Sequence, residues 1–126
     1  MKIQMHSGLP TVSINLKYKS GSIKLEHVLI DTGCLISIFD TDLVDSTGLY
    51  IQSGNGSAVR MYGVGGKSEV CYQQSVSDLY IDDYQLNDFE IQLGMTRIPY
   101  GFDAILGIDF FSKFNLKLDF DSYSIY

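Results

Sequence analysis

The sequence predicts an all-β domain, a sandwich or a small closed barrel, and three observations carry that prediction. Short runs that alternate apolar and polar residues recur along the chain at regular spacing. Turn-forming clusters such as Lys19-Ser20-Gly21-Ser22, Asn55-Gly56 and Asp82-Asp83 separate them. Helical signals are confined to two short stretches, one of them near the C-terminus.

The elements follow in order. TVSINLKY (residues 11–18) places Val12, Ile14, Leu16 and Tyr18 on one face of a strand. After the turn at 19–22 a second strand runs from 23 to 30. It loses its alternation at Val28-Leu29-Ile30, where continuous apolar residues predict burial on both faces. TDLVDSTGL (41–49) predicts one helical turn ended by Gly48. Residues 52–57 form a polar loop. A long strand is expected over 69–80, a turn at Asp82-Asp83, and a return strand over 84–93 with Phe89, Ile91 and Leu93 on one face. Ile105-Leu106 predicts a short buried strand, 109–114 a short helix, and Leu116, Leu118 and Phe120 another strand. Asp121-Ser122 turns the chain into a last strand over 123–126. Repeats, linkers and low-complexity segments are absent from the sequence, so residues 1–126 read as a single domain.

Bulk properties narrow the function classes. A chain of 126 residues with 45% hydrophobic and 19% charged residues builds its own core. A net charge of −6 argues against nucleic-acid or anionic-membrane partners, which need a basic face. Two cysteines, Cys34 and Cys71, are too few for a disulfide framework. The first ten residues lack an apolar signal core, and no run approaches the length of a membrane span. With Met1 as the genuine start, the expectation is a soluble cytoplasmic protein. His6 and His27 lie far apart in sequence among ordinary strand residues, and the acidic residues Asp78, Asp82, Asp83 and Asp88 lack the spacing of a calcium loop. No metal or cofactor is expected.

One triplet points to chemistry. Asp31-Thr32-Gly33 sits directly behind the buried strand and ahead of a second apolar run. An aspartate at the end of an apolar strand is costly unless it is paired or protonated. Gly33 allows a tight turn, and the Thr32 hydroxyl can brace it. Alone, the triplet is also an ordinary strand-end turn of any β protein.

In context the chain resembles the retropepsin-like (retroviral-type) aspartic peptidases at four places in the right order. The hairpin over 11–30 resembles the family's opening hairpin and catalytic strand. Asp31-Thr32-Gly33, with Cys34 and Ser37 before Ile38, resembles the catalytic loop. MYGVGGKSEV (61–70) resembles the glycine-rich flap that closes over substrate. AILGIDFFSKFNLKLDF (104–120) resembles the closing apolar-apolar-Gly strand, helix and return strand.

The resemblance implies a small closed β-barrel with one short C-terminal helix, assembled as a homodimer. It also implies an aspartic endopeptidase in which Asp31 of each protomer faces its mate across the two-fold axis. The two carboxylates share a proton, activate a water and protonate the scissile carbonyl oxygen, with no covalent intermediate. Thr32 would hydrogen-bond across the dimer, and Gly33 would offer its carbonyl to substrate. Gly63, Val64 and Gly65 would form the flap tip and bind a peptide as an added strand. Tyr62, Leu35 and Ile108 complete the expected substrate-binding set.

Departures from the family pattern sharpen the reading. Leu35 and Ile108 stand where retroviral members carry an acidic residue and its arginine partner, so an apolar contact is expected in place of an ion pair. That pattern fits bacterial or cellular relatives better than a viral enzyme. Asp109 beside Ile108 suits a helix N-cap. Cys34 replaces a small or hydroxyl residue, and a thiol is a weak donor. The expected optimum is therefore mildly acidic, about pH 5 to 6.5. Residues 121–126 add an arm beyond the usual end of the chain, while residues 1–6 remain available for pairing across the interface. The alternative functions are a catalytically silent peptide-binding or dimerisation module, and a precursor domain that cuts only its own parent chain.

Overall fold

A computed structural model describes residues 1–52, 54–62 and 68–126, with backbone alone at Met61, Tyr62 and Ser68. The first strand, β1 (Gln4–His6), folds antiparallel onto β2 (Leu9–Tyr18), which forms a long hairpin with β3 (Gly21–Ile30). The face of β2 set out by alternation is the buried one: Val12, Ile14, Leu16 and Tyr18 all enter the core. β4 (Ile38–Asp40) leads into α1 (Thr41–Val44) and a 3-10 turn over Asp45–Thr47. Gly48 closes that turn at φ 88, a conformation that costs a glycine little.

The predicted strand over 69–80 is two strands, β6 (Ser68–Val76) and β7 (Leu79–Ile81), with β5 (Gly56–Tyr62) preceding them. The break falls at Asp78, whose φ of 58 is incompatible with a strand. The return strand divides in the same way into β8 (Tyr84–Leu86) and β9 (Phe89–Gly94), with Asp88 at φ 48. Then come α2 (Arg97–Tyr100), β10 (Ala104–Leu106), α3 (Ile108–Lys113), β11 (Leu118–Asp119) and β12 (Ser124–Ile125).

The main sheet runs β5-β6-β9-β4-β10-β3-β2-β7-β8, with β1 beside β2. This corrects the expected closed barrel. The path is open among the described residues, because each end is a hairpin whose outer strand, β5 or β8, is an edge. Alternation specifies which face of a strand is buried, not whether two distant edges meet. The expected single helix is corrected as well, since α1 and α2 join the C-terminal α3. Pro99 sits in the first turn of α2, where a missing N–H costs nothing, so it does not break the element as a proline in a helix interior would.

A main core joins most of these elements, and a smaller cluster of Cys34, Ile38 and Cys71 packs with Val59 and Ile105. Phe39, Phe110, Leu106, Leu93 and Ile14 are among the main core's largest fully buried side chains, and Tyr84 and Phe110 meet edge-to-face with ring centres 5.5 Å apart. The chain ends close on each other. Ile3 N–H donates to the Tyr123 carbonyl (2.8 Å), Ile125 N–H to the Met1 carbonyl (2.8 Å), and the Met1 amino group to the Ile125 carbonyl (2.9 Å). Residues 1–6 thus pair within the chain, Lys2 with Ser124 of β12 and β1, through one of its two edges, with β2.

Candidate active site

Asp31 leaves β3 at the point where β10 ends. β10 lies parallel to β3 and antiparallel to β4, so it fills the gap opened by the loop 31–37. Asp31 N–H donates to the Leu106 carbonyl (3.0 Å), and Cys34 N–H returns to the Asp31 carbonyl (3.0 Å). The half-buried Asp31 carboxylate accepts from the Gly33 N–H through Oδ1 at 3.0 Å. Gly33 therefore serves as a donor close enough to bond the carboxylate two residues back, in a turn that keeps Asp31 at the sheet end.

The Ile-Leu-Gly segment holds this loop from the other side. Ile108 N–H donates to the Cys34 carbonyl (2.8 Å), and Gly107 N–H to Ser37 Oγ (2.9 Å). A Cβ at Gly107 would lie 2.4 Å from the Cys34 carbonyl oxygen, so glycine is required there by close approach.

Asp109 does more than the expected N-cap. Gly107 occupies the cap position of α3, and the Asp109 carboxylate reaches across to the loop. Its Oδ2 accepts from Ser37 N–H (2.9 Å), and its Oδ1 accepts from Ser37 Oγ (2.7 Å) and from Phe110 N–H (2.8 Å). Ser37 is 1% exposed, so its two donors depend on this carboxylate. Asp109→Ala is expected to destabilise the fold by about 2–4 kcal/mol by leaving them unpaired. Thermal melts of the variant against Asp109→Asn, which retains one acceptor oxygen, check this.

The cleft beside Asp31 has a volume of about 820 Å³. Cys34, Ile38, Val59, Cys71 and Ile105 make its apolar part, and Arg60, Glu69, Gln73, Gln92, Thr96 and Tyr100 its polar part. Tyr100 of α2 donates to Glu69 of β6, which links the loop end of the β5–β6 hairpin to α2. That hydrogen bond pushes the phenol pKa up. A roomier hollow of about 990 Å³ over β2 and β3, lined by Lys17, Lys24, Asp82 and Asp83, is open and polar and lacks Asp31.

The structure brings Asp31, Gly33 and Leu35 to this cleft. Thr32 is exposed beside them. Leu35 is 74% exposed and Ile108 39%, so the expected apolar contact does not bury either side chain within one chain. The polar link that joins the loop to α3 runs instead from Ser37 to Asp109. Tyr62 lies in β5, where its backbone alone is described, and Gly63, Val64 and Gly65 lie outside the described residues.

His6 and His27 meet, with ring centres 4.8 Å apart, because β1 and β3 both flank β2. Among the described residues no group of three or more His, Cys, Asp or Glu side chains is arranged to hold a metal ion. Among them, too, no helix is long and apolar enough to cross a membrane.

Cys34 faces the cleft but donates its thiol to the Ile36 carbonyl (3.1 Å). Burial first, and then the nearby Asp31 charge, push its pKa up to about 11. The thiol stays protonated until the pH approaches that value, and alkylation needs the thiolate. At pH 8 iodoacetamide is expected to label Cys34 about a hundredfold more slowly than it labels the unfolded chain. Mass spectrometry of the labelled peptides as pH rises measures this directly.

No protein-family model matches the chain, and no curated protein matches it in sequence. The crystal structure of the retroviral protease-like domain of Ddi1 from Leishmania major does match in three dimensions. The TM-score is 0.55, over 92% of this chain and 85% of that chain, at 12% sequence identity. The fold is retropepsin-like. Within this retropepsin-like fold the parallel pairing of β10 with β3 explains the spacing between Asp31 and Gly107. The two segments are distant in sequence because each must arrive at the same sheet end from a different part of the chain.

Proposed function

We propose that the protein is an aspartic endopeptidase active as a homodimer, with Asp31 of each protomer supplying one carboxylate of the catalytic pair. The observation that carries this reading is the placement of Asp31-Thr32-Gly33 at the mouth of an 820 Å³ cleft, clamped between β3 and β10 of a retropepsin-like fold. One such triplet occurs in the sequence, and the chemistry needs two carboxylates. A second copy supplies the other.

In the paired site one Asp31 carboxylate takes a proton from the attacking water while the other gives a proton to the scissile carbonyl oxygen. Collapse of the resulting diol breaks the C–N bond, and the departing amine receives the proton. The Ser37–Asp109 network holds the loop so that the carboxylates need little reorganisation. Because the Cys34 thiol donates to Ile36 rather than to Asp31, the side chain at this position adds no donor to the pair, in keeping with the expected optimum of about pH 5 to 6.5.

The partner surface in this reading is the rim around Asp31, because the two carboxylates must meet there. Leu35, apolar and 74% exposed, is its centre. Leu35→Glu is expected to raise the dimer dissociation constant at least tenfold, about 1.4 kcal/mol or more, by placing like charges across the two-fold axis. Sedimentation velocity over a concentration series measures it, and an unchanged constant removes Leu35 from the interface.

Incubation of the chain at high concentration with a diverse peptide mixture from pH 4 to 7.5, read by mass spectrometry, tests the activity. Cuts that vanish in Asp31→Asn support the peptidase. A folded dimer that yields identical spectra for both proteins supports a peptide-binding or dimerisation module instead.

A further inference from the structure

The strand registers place a row of amides on the cleft side of the sheet. Gln73 of β6 lies opposite Gln92 of β9, and Gln92 lies beside Ile38 of β4. Both glutamines line the cleft. The Gln92 N–H donates to the Ser37 carbonyl (3.0 Å), so the row is anchored to the loop that carries Asp31.

The row has one direction. A Glu90 carboxylate only accepts, so it takes the Nε2 of Gln73. That orientation turns the Gln73 Oε1 toward Gln92, whose Nε2 donates to it at 3.0 Å. What remains is the Gln92 Oε1. Gln92 is 4% exposed, and this oxygen is buried with no hydrogen-bond partner among the described residues. Turning the Gln92 amide over would set two acceptors against each other, so the chain from Glu90 holds the orphan oxygen in place. Folded proteins keep few such groups, and a binding cleft is a place where an incoming donor completes one.

We propose that the Gln73–Gln92 row is a subsite that selects a substrate side chain carrying a hydrogen-bond donor, an amide, hydroxyl or ammonium. The inference rests on reading the cleft as a peptide groove. A carboxylate side chain would face an acceptor with the Glu90 charge behind it. An aliphatic side chain would leave the oxygen unpaired, which is the basis on which polar sites reject apolar analogues.

The test uses the Asp31→Asn chain, so that peptides are bound and not cut. Peptide arrays varied one position at a time among Gln, Glu and Leu are probed at pH 7. At one position Gln is expected to bind at least tenfold better than Glu or Leu. Adding Gln92→Leu is expected to erase that preference and favour Leu, with the other positions unchanged. Gln73→Met is the second variant, at a half-buried site that tolerates the change. It frees the Gln92 amide to turn, and the preference for Gln over Glu should fall to near one. If Gln92→Leu unfolds, the Gln73→Met result decides. A profile untouched by these variants overturns the subsite and leaves the oxygen to a bound water. Failure to bind any peptide sinks the groove reading itself.

Discussion

Asp31→Asn is expected to lower the rate of peptide cleavage by a factor of about 10³ or more, with the fold and the dimer retained. A carboxamide cannot take a proton from water, nor can two of them share one. The local structure tolerates the change. The Asn oxygen can still accept from the Gly33 N–H, and the backbone bonds to Leu106 and Cys34 do not involve the side chain. The effect should therefore appear in kcat far more than in KM. Mixing sharpens the test. At ninefold excess of the variant, random pairing leaves about a tenth of wild-type protomers in wild-type pairs, and activity per wild-type chain should fall by the same factor. If that activity holds steady while the subunits exchange, one carboxylate suffices and the paired mechanism is wrong.

Asp40→Ala should give the largest loss of stability, about 3–5 kcal/mol, equivalent to a fall in Tm of roughly 10–20 °C. Asp40 ends β4 and is 4% exposed, yet its carboxylate serves four backbone N–H groups. Oδ1 accepts from Asp42 (3.1 Å) and Leu43 (3.3 Å), capping α1. Oδ2 accepts from Thr96 (3.0 Å) and Arg97 (2.8 Å), holding the start of α2. Truncation leaves four donors without their acceptor, one in a buried hydrogen bond and three in partly buried ones, the costly half of the hydrogen-bond balance. Asp40→Asn retains one oxygen and should lose about half as much. Because α2 carries Tyr100 to the cleft wall, the Ala variant should also weaken peptide binding in the fraction that stays folded. Denaturant titration of the three proteins settles the order, and equal midpoints would show that the four donors find other partners.

Asp40 also shows where sequence reading stops. In the sequence it is one acidic residue between Phe39 and Thr41, and a cap for a helical turn is the most that its position implies. Its second pair of donors arrives from residues 96 and 97, brought alongside by the parallel pairing of β4 with β9. Asp109 is similar. Its place at the head of an apolar helix was visible, but its bonds to Ser37 exist because β10 inserts between β3 and β4. Gln73 and Gln92 read as unremarkable strand polars until their register set them opposite each other. His6 and His27 were likewise separate residues until two strands flanked a third.

The sequence by itself determined what depends on neighbours along the chain. The alternation of Val12, Ile14, Leu16 and Tyr18 settled which face of β2 is buried. The apolar run Val28-Leu29-Ile30 marked a strand in the interior of the sheet. Asp31-Thr32-Gly33 behind that strand located the turn at the end of β3 beside the cleft, and Ile105-Leu106-Gly107 located the strand that meets it. The tertiary structure alone decided what depends on pairing at a distance. It left the sheet open among the described residues, split two strands at positive-φ aspartates, and closed the chain ends on each other. It also joined Ser37 to Asp109 as the support of the loop, and set Asp40 against the starts of α1 and α2. The physical reason is that side-chain period is a local property of a strand. A buried polar group is satisfied by whichever backbone the topology delivers to it, and no local pattern records that delivery.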